Sequence, residues 1–109
     1  MIDRPEKATT PIADPTNPQP EYPKALRDKG ITGVVVIKLH VNNDGTLKGA
    51  KILKVTNNAA TEEEREEADT LFKKAVIAVV RNWKYTPAKL EGQAISVWHT
   101  VTIPFRLST

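Results

Sequence analysis

Proline distribution restricts the fold of this chain more than any other feature of its sequence. Six of the eight prolines lie before residue 24, namely Pro5, Pro11, Pro15, Pro18, Pro20 and Pro23. Proline lacks a backbone N–H and fixes its own φ, so such a segment supplies neither a helix interior nor a central strand. We therefore predict a proline-rich flexible tether over residues 1–21 and one folded domain over residues 22–109.

The residue types present argue against an enzyme. The sequence contains no cysteine, which removes disulfides, thiolate nucleophiles and cysteine-ligated zinc from consideration. It also lacks a glycine-rich phosphate loop and a nucleophile elbow. His40 and His99 lie on opposite faces of different predicted strands, without ligand partners at suitable spacing, which indicates structural histidines. We therefore expect no catalytic residue, no metal site and no cofactor.

The charge distribution argues against nucleic-acid binding. A net charge of +3 and a pI near 9.3 would suit such a partner. However, six of the 13 acidic residues form one block between Glu62 and Asp69. Some of the lysines lie on predicted strands, where they also discourage unwanted edge pairing; these are Lys38, Lys48, Lys51 and Lys54. We therefore expect no nucleic-acid partner.

The start of the sequence indicates a fragment of a longer chain. Met1 is followed at once by Ile2, Asp3, Arg4 and Pro5, without the pattern of a signal peptide. No stretch approaches the roughly 18 consecutive apolar residues of a membrane span. We expect any export or anchoring signal to lie outside this sequence.

Two helices are predicted. Residues 22–30 form a short one, in which Pro23 suits the first helical position and Gly30 the left-handed conformation that ends a helix. Thr61 and Glu64 form a capping box that starts a helix of about six turns. Its apolar stripe recurs at three- and four-residue steps and comprises Ala68, Leu71, Phe72, Ala75, Val79 and Trp83.

Two strands joined by a tight turn lie between these helices. The first covers residues 33–41, and its core face carries Val35, Ile37, Leu39 and Val41. Residues 42–45 contain the asparagine and glycine that tight hairpin turns require. The second strand, residues 47–56, does not keep its apolar residues on one face, so we expect a bulge near Gly49.

A third strand, over residues 95–107, closes the chain. Pro104 cannot donate to a central ladder, which places this strand at an edge of the sheet. Strand lengths and a right-handed crossover give the spatial order two-one-three. The predicted fold class is therefore α+β: one long helix packs across one face of a three-stranded antiparallel sheet, with a short N-terminal helix beside it.

An ordered set of residues crosses all these segments. It comprises Tyr22, Pro23, Ala25, Gly30, Ile31, Gly33–Val36, Val41, Asp44, Gly45, Ala75, Ala78, Val79, Trp83–Pro87, Gly92 and Val101–Leu107. This set resembles the C-terminal domain of the TonB family of energy transducers, in which a proline-rich lead-in is also typical. The likeness covers residues 19–108.

The resemblance implies the periplasmic domain of a protein that a separate N-terminal helix anchors in the bacterial inner membrane. An ion-driven motor complex in that membrane energises such proteins. Their C-terminal domain grips the TonB box, a short extended peptide of outer-membrane receptors, and uptake of siderophores or cobalamin follows.

The resemblance also implies a set of partner-binding residues. The TonB-box peptide adds as a strand to the last strand of the domain. The residues carried over from that strand are Ser96, Val97, Trp98, His99, Thr100, Val101, Thr102 and Ile103. Residues just before the Tyr-Pro motif also approach the peptide in the family, and here they are Gln19, Pro20 and Glu21.

Two other interpretations stay open. The long helix has an acidic extension, residues 61–67, that the family does not usually show. The same fold in another envelope machine, such as a motility system, would bind a different partner or a second copy of itself as a homodimer. Trp98, with Val34 and Val36, would form an apolar patch on the open sheet face, which either the N-terminal segment or a partner or dimer contact would cover. A basic nucleic-acid-binding module is the least favoured interpretation.

Overall fold

The computed structural model describes residues 7–107, so the predicted tether and domain each extend beyond it by a few residues. The described part contains two helices and seven strands. In chain order they are β1 (Ile12–Ala13), α1 (Lys24–Asp28), β2 (Gly33–Val41), β3 (Leu47–Asn57), α2 (Glu62–Val80), β4 (Tyr85–Thr86), β5 (Ala88–Leu90), β6 (Gln93–Ile95) and β7 (Val97–Phe105).

The main sheet is antiparallel and has the order β3-β2-β7. Within β2 every second residue is buried, which puts Val35, Ile37, Leu39 and Val41 in the core with no exposed surface. Helix α2 packs against this face. The predicted α+β class, the strand order two-one-three and the core face of the first strand are therefore confirmed.

The second strand of the sheet is bulged twice. In the pairing of β2 with β3, His40 lies opposite Gly49 and Val41 lies opposite Leu47, so Lys48 is an extra residue in β3. Similarly, Val36 lies opposite Lys54 and Ile37 lies opposite Ile52, so Leu53 has no opposite residue in β2, and its side chain is 47% exposed. The bulge expected near Gly49 is confirmed, whereas the second bulge was not predicted.

The predicted third strand is two strands. Its first residue, Ile95, ends β6, which forms a separate hairpin with β5. Glu91 and Gly92 make the two-residue loop of this hairpin and have φ of 52° and 83°, as expected where both central residues are left-handed. The prediction of one continuous strand was wrong because this hairpin ends just before β7 begins.

Helix α2 begins as predicted and ends earlier. The Thr61 hydroxyl accepts a hydrogen bond from the Glu64 N–H at 3.1 Å, so the N-cap is confirmed. The helix ends at Val80, and Trp83 reaches the core from the loop that follows. The fully buried row is centred one residue away from the predicted stripe and comprises Ala68, Phe72, Val76 and Val80, flanked by the partly buried Leu71, Ala75 and Val79.

The short helix and an aromatic cluster close one end of the core. Pro23 has φ −60° and ψ 123°, so it caps α1 instead of occupying the first helical position as predicted. Gly30 ends the helix at φ 71°, as expected. The Tyr22 ring packs edge-on against Phe72 and Phe105, at centroid distances of 6.0 and 5.6 Å. These contacts tie the start of the domain to both α2 and the end of β7.

Candidate functional site

The hydrogen bonds at the two ends of β2 establish which of its residues face β3. The Asn58 N–H donates to the Thr32 carbonyl at 3.2 Å, and the Asn42 N–H donates to the Thr46 carbonyl at 2.8 Å. At the two ends of β2, the backbone groups that bond to the β3 side therefore belong to Thr32 and Asn42, which are both even-numbered. Because backbone groups of successive strand residues point to opposite sides, the odd-numbered residues of β2 face β7.

The same alternation shows which backbone groups of β7 point away from the sheet. Odd-numbered residues of β7 lie opposite odd-numbered residues of β2, as in the pair Val35 and Ile103. The outward residues are therefore Trp98, Thr100, Thr102 and Pro104. Among residues 7–107, β2 is the only strand that pairs with β7. Within this part of the chain, the backbone donors and acceptors on the outer edge of β7 have no strand partner.

A groove of about 530 Å³ runs beside the second half of this edge. One wall is formed by residues 101–106, from β7 and the residue that follows it. The opposite wall comes from the chain before α1. The remaining lining is aromatic, and the complete set is Ala13, Asp14, Pro15, Asn17, Gln19, Pro20, Tyr22, Trp83, Tyr85 and Val101–Arg106.

Residues 8–18, which we call the N-terminal arm, lie along residues 83–89. Ile12 and Ala13 pair with Thr86 and Tyr85 as β1 and β4. At the far end the Thr9 N–H donates to the Lys89 carbonyl at 2.8 Å, and the Lys89 N–H donates to the Thr9 hydroxyl at 2.9 Å. The sequence did not predict these contacts within residues 1–21. The division of the chain into tether and domain near Tyr22 stays a prediction.

A turn at the end of the arm directs Asn17 toward the domain. The Asp14 carboxylate accepts hydrogen bonds from the N–H and the hydroxyl of Thr16, at 2.8 and 2.6 Å. The Asn17 N–H donates to the Asp14 carbonyl at 3.0 Å. Asp followed by Pro at the second turn position suits a type I turn. The two bonds from Thr16 hold the pKa of Asp14 below its usual value.

The Asn17 side chain occupies both backbone groups of Lys84. Its Nδ2 donates to the Lys84 carbonyl at 2.9 Å, and its Oδ1 accepts from the Lys84 N–H at 2.8 Å. The Asp14 N–H donates to the same carbonyl at 3.0 Å. One residue earlier, the Trp83 indole Nε1 donates to the Pro18 carbonyl at 2.6 Å. The arm is thus fastened at the point where it becomes a wall of the groove.

The hairpin between β2 and β3 supports the lining of the groove from behind. The Tyr85 N–H donates to the Gly45 carbonyl at 2.9 Å. A Cβ atom on Gly45 would lie 2.1 Å from the Tyr85 carbonyl oxygen, so this close approach requires glycine. Burial of the Tyr85 side chain raises the pKa of its hydroxyl.

The structure brings together about half of the residues predicted to bind a partner. Gln19 and Pro20 line the groove opposite Val101, Thr102 and Ile103. Glu21 lines a neighbouring depression between α1 and α2 instead.

The first half of the predicted segment serves other contacts. The Ser96 hydroxyl accepts from the Asn43 N–H at 3.1 Å and lies 3.3 Å from Asn42 Oδ1, which fixes the β2–β3 turn. Val97 is fully buried, and the His99 ring packs edge-on against Tyr85 at 5.6 Å. Trp98 lies on the open face of the sheet.

Trp98 packs against neighbours from β2 on that open face. Its ring centroid lies 5.2 Å from that of His40 and 5.8 Å from Lys38 Nζ. Trp98 does not lie beside Val34 and Val36 as expected, because it pairs with His40, whereas Val36 and Val34 pair with Thr102 and Pro104. Its neighbours are a histidine and a lysine, so the surface around it is more polar than predicted.

Several residues of the groove were not among those predicted. Pro104, Phe105 and Arg106 extend the wall on the β7 side. On the opposite wall, Asp14 and Asn17 could have been found from the Asp-Pro-Thr-Asn turn signature in residues 14–17. Trp83 and Tyr85 carried no such signal, because their patterns are those of ordinary core residues.

Two further observations concern the described residues alone. No three histidine or acidic side chains within residues 7–107 converge closely enough to hold a metal ion. Neither α1 nor α2 is long and apolar enough to cross a membrane.

Comparison with known proteins identifies one family. The sequence profile of the Gram-negative bacterial TonB protein C-terminal region matches residues 18–107. Protein tonB2 of Pseudomonas aeruginosa is 28% identical over 92 residues, which are 84% of this chain and 30% of that protein. Protein TonB of Vibrio cholerae is 24% identical over 106 residues, which are 97% of this chain and 36% of that protein. The chain thus spans about a third of the length of these relatives.

A solved structure shows the same fold. The solution NMR structure of the Pseudomonas aeruginosa TonB CTD superposes with a TM-score of 0.64 at 16% identity. The match covers 100% of this chain and 95% of the solved one.

Proposed function

The chain belongs to the family of Gram-negative bacterial TonB C-terminal domains, which are non-enzymatic energy transducers, and we propose that it captures the TonB box of outer-membrane receptors. In this proposal the chain is the periplasmic end of a longer protein that is anchored in the inner membrane. A motor complex in that membrane acts on the membrane-anchored part of that longer protein. The captured receptor then imports a siderophore or cobalamin.

One observation carries the proposal: no strand of the described residues pairs with the outer edge of β7, and this edge runs beside a groove. Strand addition needs such an edge, because the backbone of the added peptide supplies most of the hydrogen bonds. The groove supplies what the edge alone lacks, namely space for the peptide side chains on one side. Gln19 and Pro20 lie on the opposite wall, near enough to Thr102 to line the same space.

Binding through this edge is expected to be reversible. Trp98, Thr100 and Thr102 each present one outward N–H and one outward C=O, which allows up to six hydrogen bonds. Each contributes about 0.5–1.5 kcal/mol net, and the ordering of a disordered peptide opposes them. The resulting weak-to-moderate affinity suits a transducer that engages and releases its receptor in each cycle.

The experiment that tests the proposal is a titration of the isotope-labelled chain with box peptides from candidate receptors, followed by NMR. We expect the largest shifts in residues 98–106 and in Gln19. A peptide of the same composition in scrambled order is the control. Shifts spread over α2 or over β3 would contradict capture at β7.

The same titration bears on the other interpretation. If no box peptide shifts any resonance at millimolar concentration, the proposed capture of receptors is wrong. The acidic start of α2, where Glu62 and Glu63 are exposed, would then be the first surface to test for a partner from another envelope machine.

A further inference from the structure

The N-terminal arm forms one wall of the groove, and a single side chain completes its attachment. Asn17 uses its amide to satisfy both backbone groups of Lys84, at 2.9 and 2.8 Å. A paired strand residue would form the same two bonds, so Asn17 continues the β1–β4 pairing beyond the point where the arm turns. Without that amide, the N–H of Lys84 would lose the partner that the structure gives it.

The position of Asn17 matters because the wall lies on both sides of it. Asp14 and Pro15 line the groove before Asn17, and Gln19 and Pro20 line it after. The attachments nearest to it are the bond from the Trp83 indole to the Pro18 carbonyl and the pairing of Ala13 with Tyr85. Loss of the Asn17 bonds would leave residues 14–17 attached through one backbone bond, from Asp14 to Lys84.

We propose that Asn17 is a positioning residue for peptide capture: it fastens the arm to Lys84, and the fastened arm turns the open edge of β7 into a two-walled groove. This inference rests on the proposed function. It adds that the edge of β7 alone is insufficient, and that affinity depends on a residue that need not contact the peptide. The arm therefore links the position of the preceding chain to occupancy of the groove.

The state of the arm can be measured without any ligand. The Trp83 indole N–H is hydrogen-bonded to the arm, so its NMR resonance and its exchange with solvent report whether the wall is in place. Trp98 gives the second indole signal, and a Trp98→Phe variant identifies which signal is which. We expect Asn17→Ala to shift the Trp83 resonance and to speed its exchange.

The affinity of each variant is then measured with the box peptide that gives the largest shifts with the natural chain. We expect Asn17→Ala to weaken binding about tenfold, because without these two hydrogen bonds the arm would be in place in only a fraction of the molecules. Asn17→Asp keeps an acceptor for the Lys84 N–H and loses the donor, so an intermediate loss is expected. The midpoint of global unfolding should change little in either variant.

Asn58 supplies a matched control. Its side-chain oxygen also accepts a backbone N–H, that of Thr32 at 2.8 Å, but Asn58 follows β3 and neither it nor Thr32 lines the groove. Asn58→Ala should leave both the affinity and the Trp83 resonance unchanged.

The possible results separate the two proposals. Equal affinities of the natural chain and Asn17→Ala would overturn the role of Asn17 and leave capture by β7 standing. An unchanged Trp83 resonance in Asn17→Ala would overturn it as well, because the arm would then be held without this residue. Failure of the natural chain to bind any box peptide would overturn the proposed function and, with it, this inference.

Discussion

Gly45 is the residue through which the β2–β3 hairpin supports the groove. Its φ is 86°, a conformation that favours glycine, and its carbonyl accepts the Tyr85 N–H. Residues 42–45 predicted the turn, because asparagine and glycine tolerate such angles. They did not predict Tyr85 as the neighbour, since nothing local to a turn specifies what packs against it from elsewhere in the chain.

Substitution of Gly45 should be severely destabilising. A Cβ atom there would meet the Tyr85 carbonyl oxygen at 2.1 Å, in addition to the cost of a positive φ. We expect Gly45→Ala to lower the free energy of unfolding by about 3 kcal/mol or more, measured by urea denaturation. Gly30→Ala is the control, because Gly30 also has a positive φ but no atom within 4 Å of its Cβ position, and about 1 kcal/mol is expected. Equal losses would mean that the contact with Tyr85 is not tight.

The hydrogen bonds of the turn at residues 14–17, where the groove wall starts, should be lost at low pH. Hydrogen bonds from Thr16 lower the pKa of Asp14 from 3.8 in the folded chain. A lowered folded pKa means that the contribution of this carboxylate is complete above about pH 4 and is lost as the pH falls through the lowered value. The amide resonances of Thr16 and Asn17 should therefore be constant near neutral pH and move only below that range. The step should be missing in Asp14→Asn, and its persistence there would assign it to another carboxyl group.

Strand β7 has two backbone edges: one pairs with β2 in the sheet, and the other is the edge proposed to bind the peptide. Backbone groups of Val101 face β2, and those of Thr100 and Thr102 face outward. Pro104 occupies an outward position, where its missing N–H takes nothing from the ladder. The sequence predicted the edge position of this strand from Pro104 and from the strand order two-one-three, and the register in the structure explains why that proline is tolerated.

Proline substitutions distinguish the two sides of β7. Thr102→Pro removes an outward donor, so we expect it to abolish peptide binding while the chain stays folded, as judged by NMR titration and circular dichroism. Val101→Pro removes a donor from the ladder with β2 and should destabilise the domain by about 3 kcal/mol or more. Thr102→Ala separates loss of the N–H from loss of the side chain and should bind nearly as well as the natural chain. Unfolding of Thr102→Pro would show that this N–H is bonded within the sheet.

Some elements could be predicted from the sequence because their signals are local. The N-cap at Thr61 and the alternation in β2 are examples, and both are confirmed. The phase of α2 could not be fixed, because Leu71, Phe72, Ala75 and Val76 are all apolar and satisfy two overlapping stripes. Which stripe faces the sheet depends on the ring of Phe105, 4.6 Å from that of Phe72, and this contact between distant parts of the chain is not visible in either segment alone.

The groove is shared by the domain and the chain that precedes it, because one wall comes from β7 and the other from the chain before α1. The predicted tether has a composition typical of disorder, yet its described part forms hydrogen bonds with residues 83–89. Low hydrophobicity indicates that a segment cannot fold by itself. It does not exclude docking on a surface that is already folded, and this is why the arm could not be predicted from composition.

Hydrogen exchange tests where the tether ends. The amides of Thr9 and Asp14 donate to the carbonyls of Lys89 and Lys84, so we expect them to exchange more slowly than unbonded amides. The pairing between them, β1, has only two residues and both are exposed, so they should exchange faster than the amide of Ile37 in the central strand. Exchange as slow as that of Ile37 would make the arm part of the domain core, and exchange at the rate of an unfolded peptide would place the boundary at Tyr22.

The proline at position 104 also decides how an added chain is aligned. A strand lying along β7 meets donors at Trp98, Thr100 and Thr102 and then a position that offers an acceptor only. If the added strand moved by two residues toward Pro104, one of its carbonyls would lie opposite a residue without an N–H and would lose its hydrogen bond. One alignment of the added strand is therefore favoured. Edges of many copies, stacked as in a fibril, would have a break at every such position, and the domain can therefore keep an exposed edge at reduced risk of aggregation.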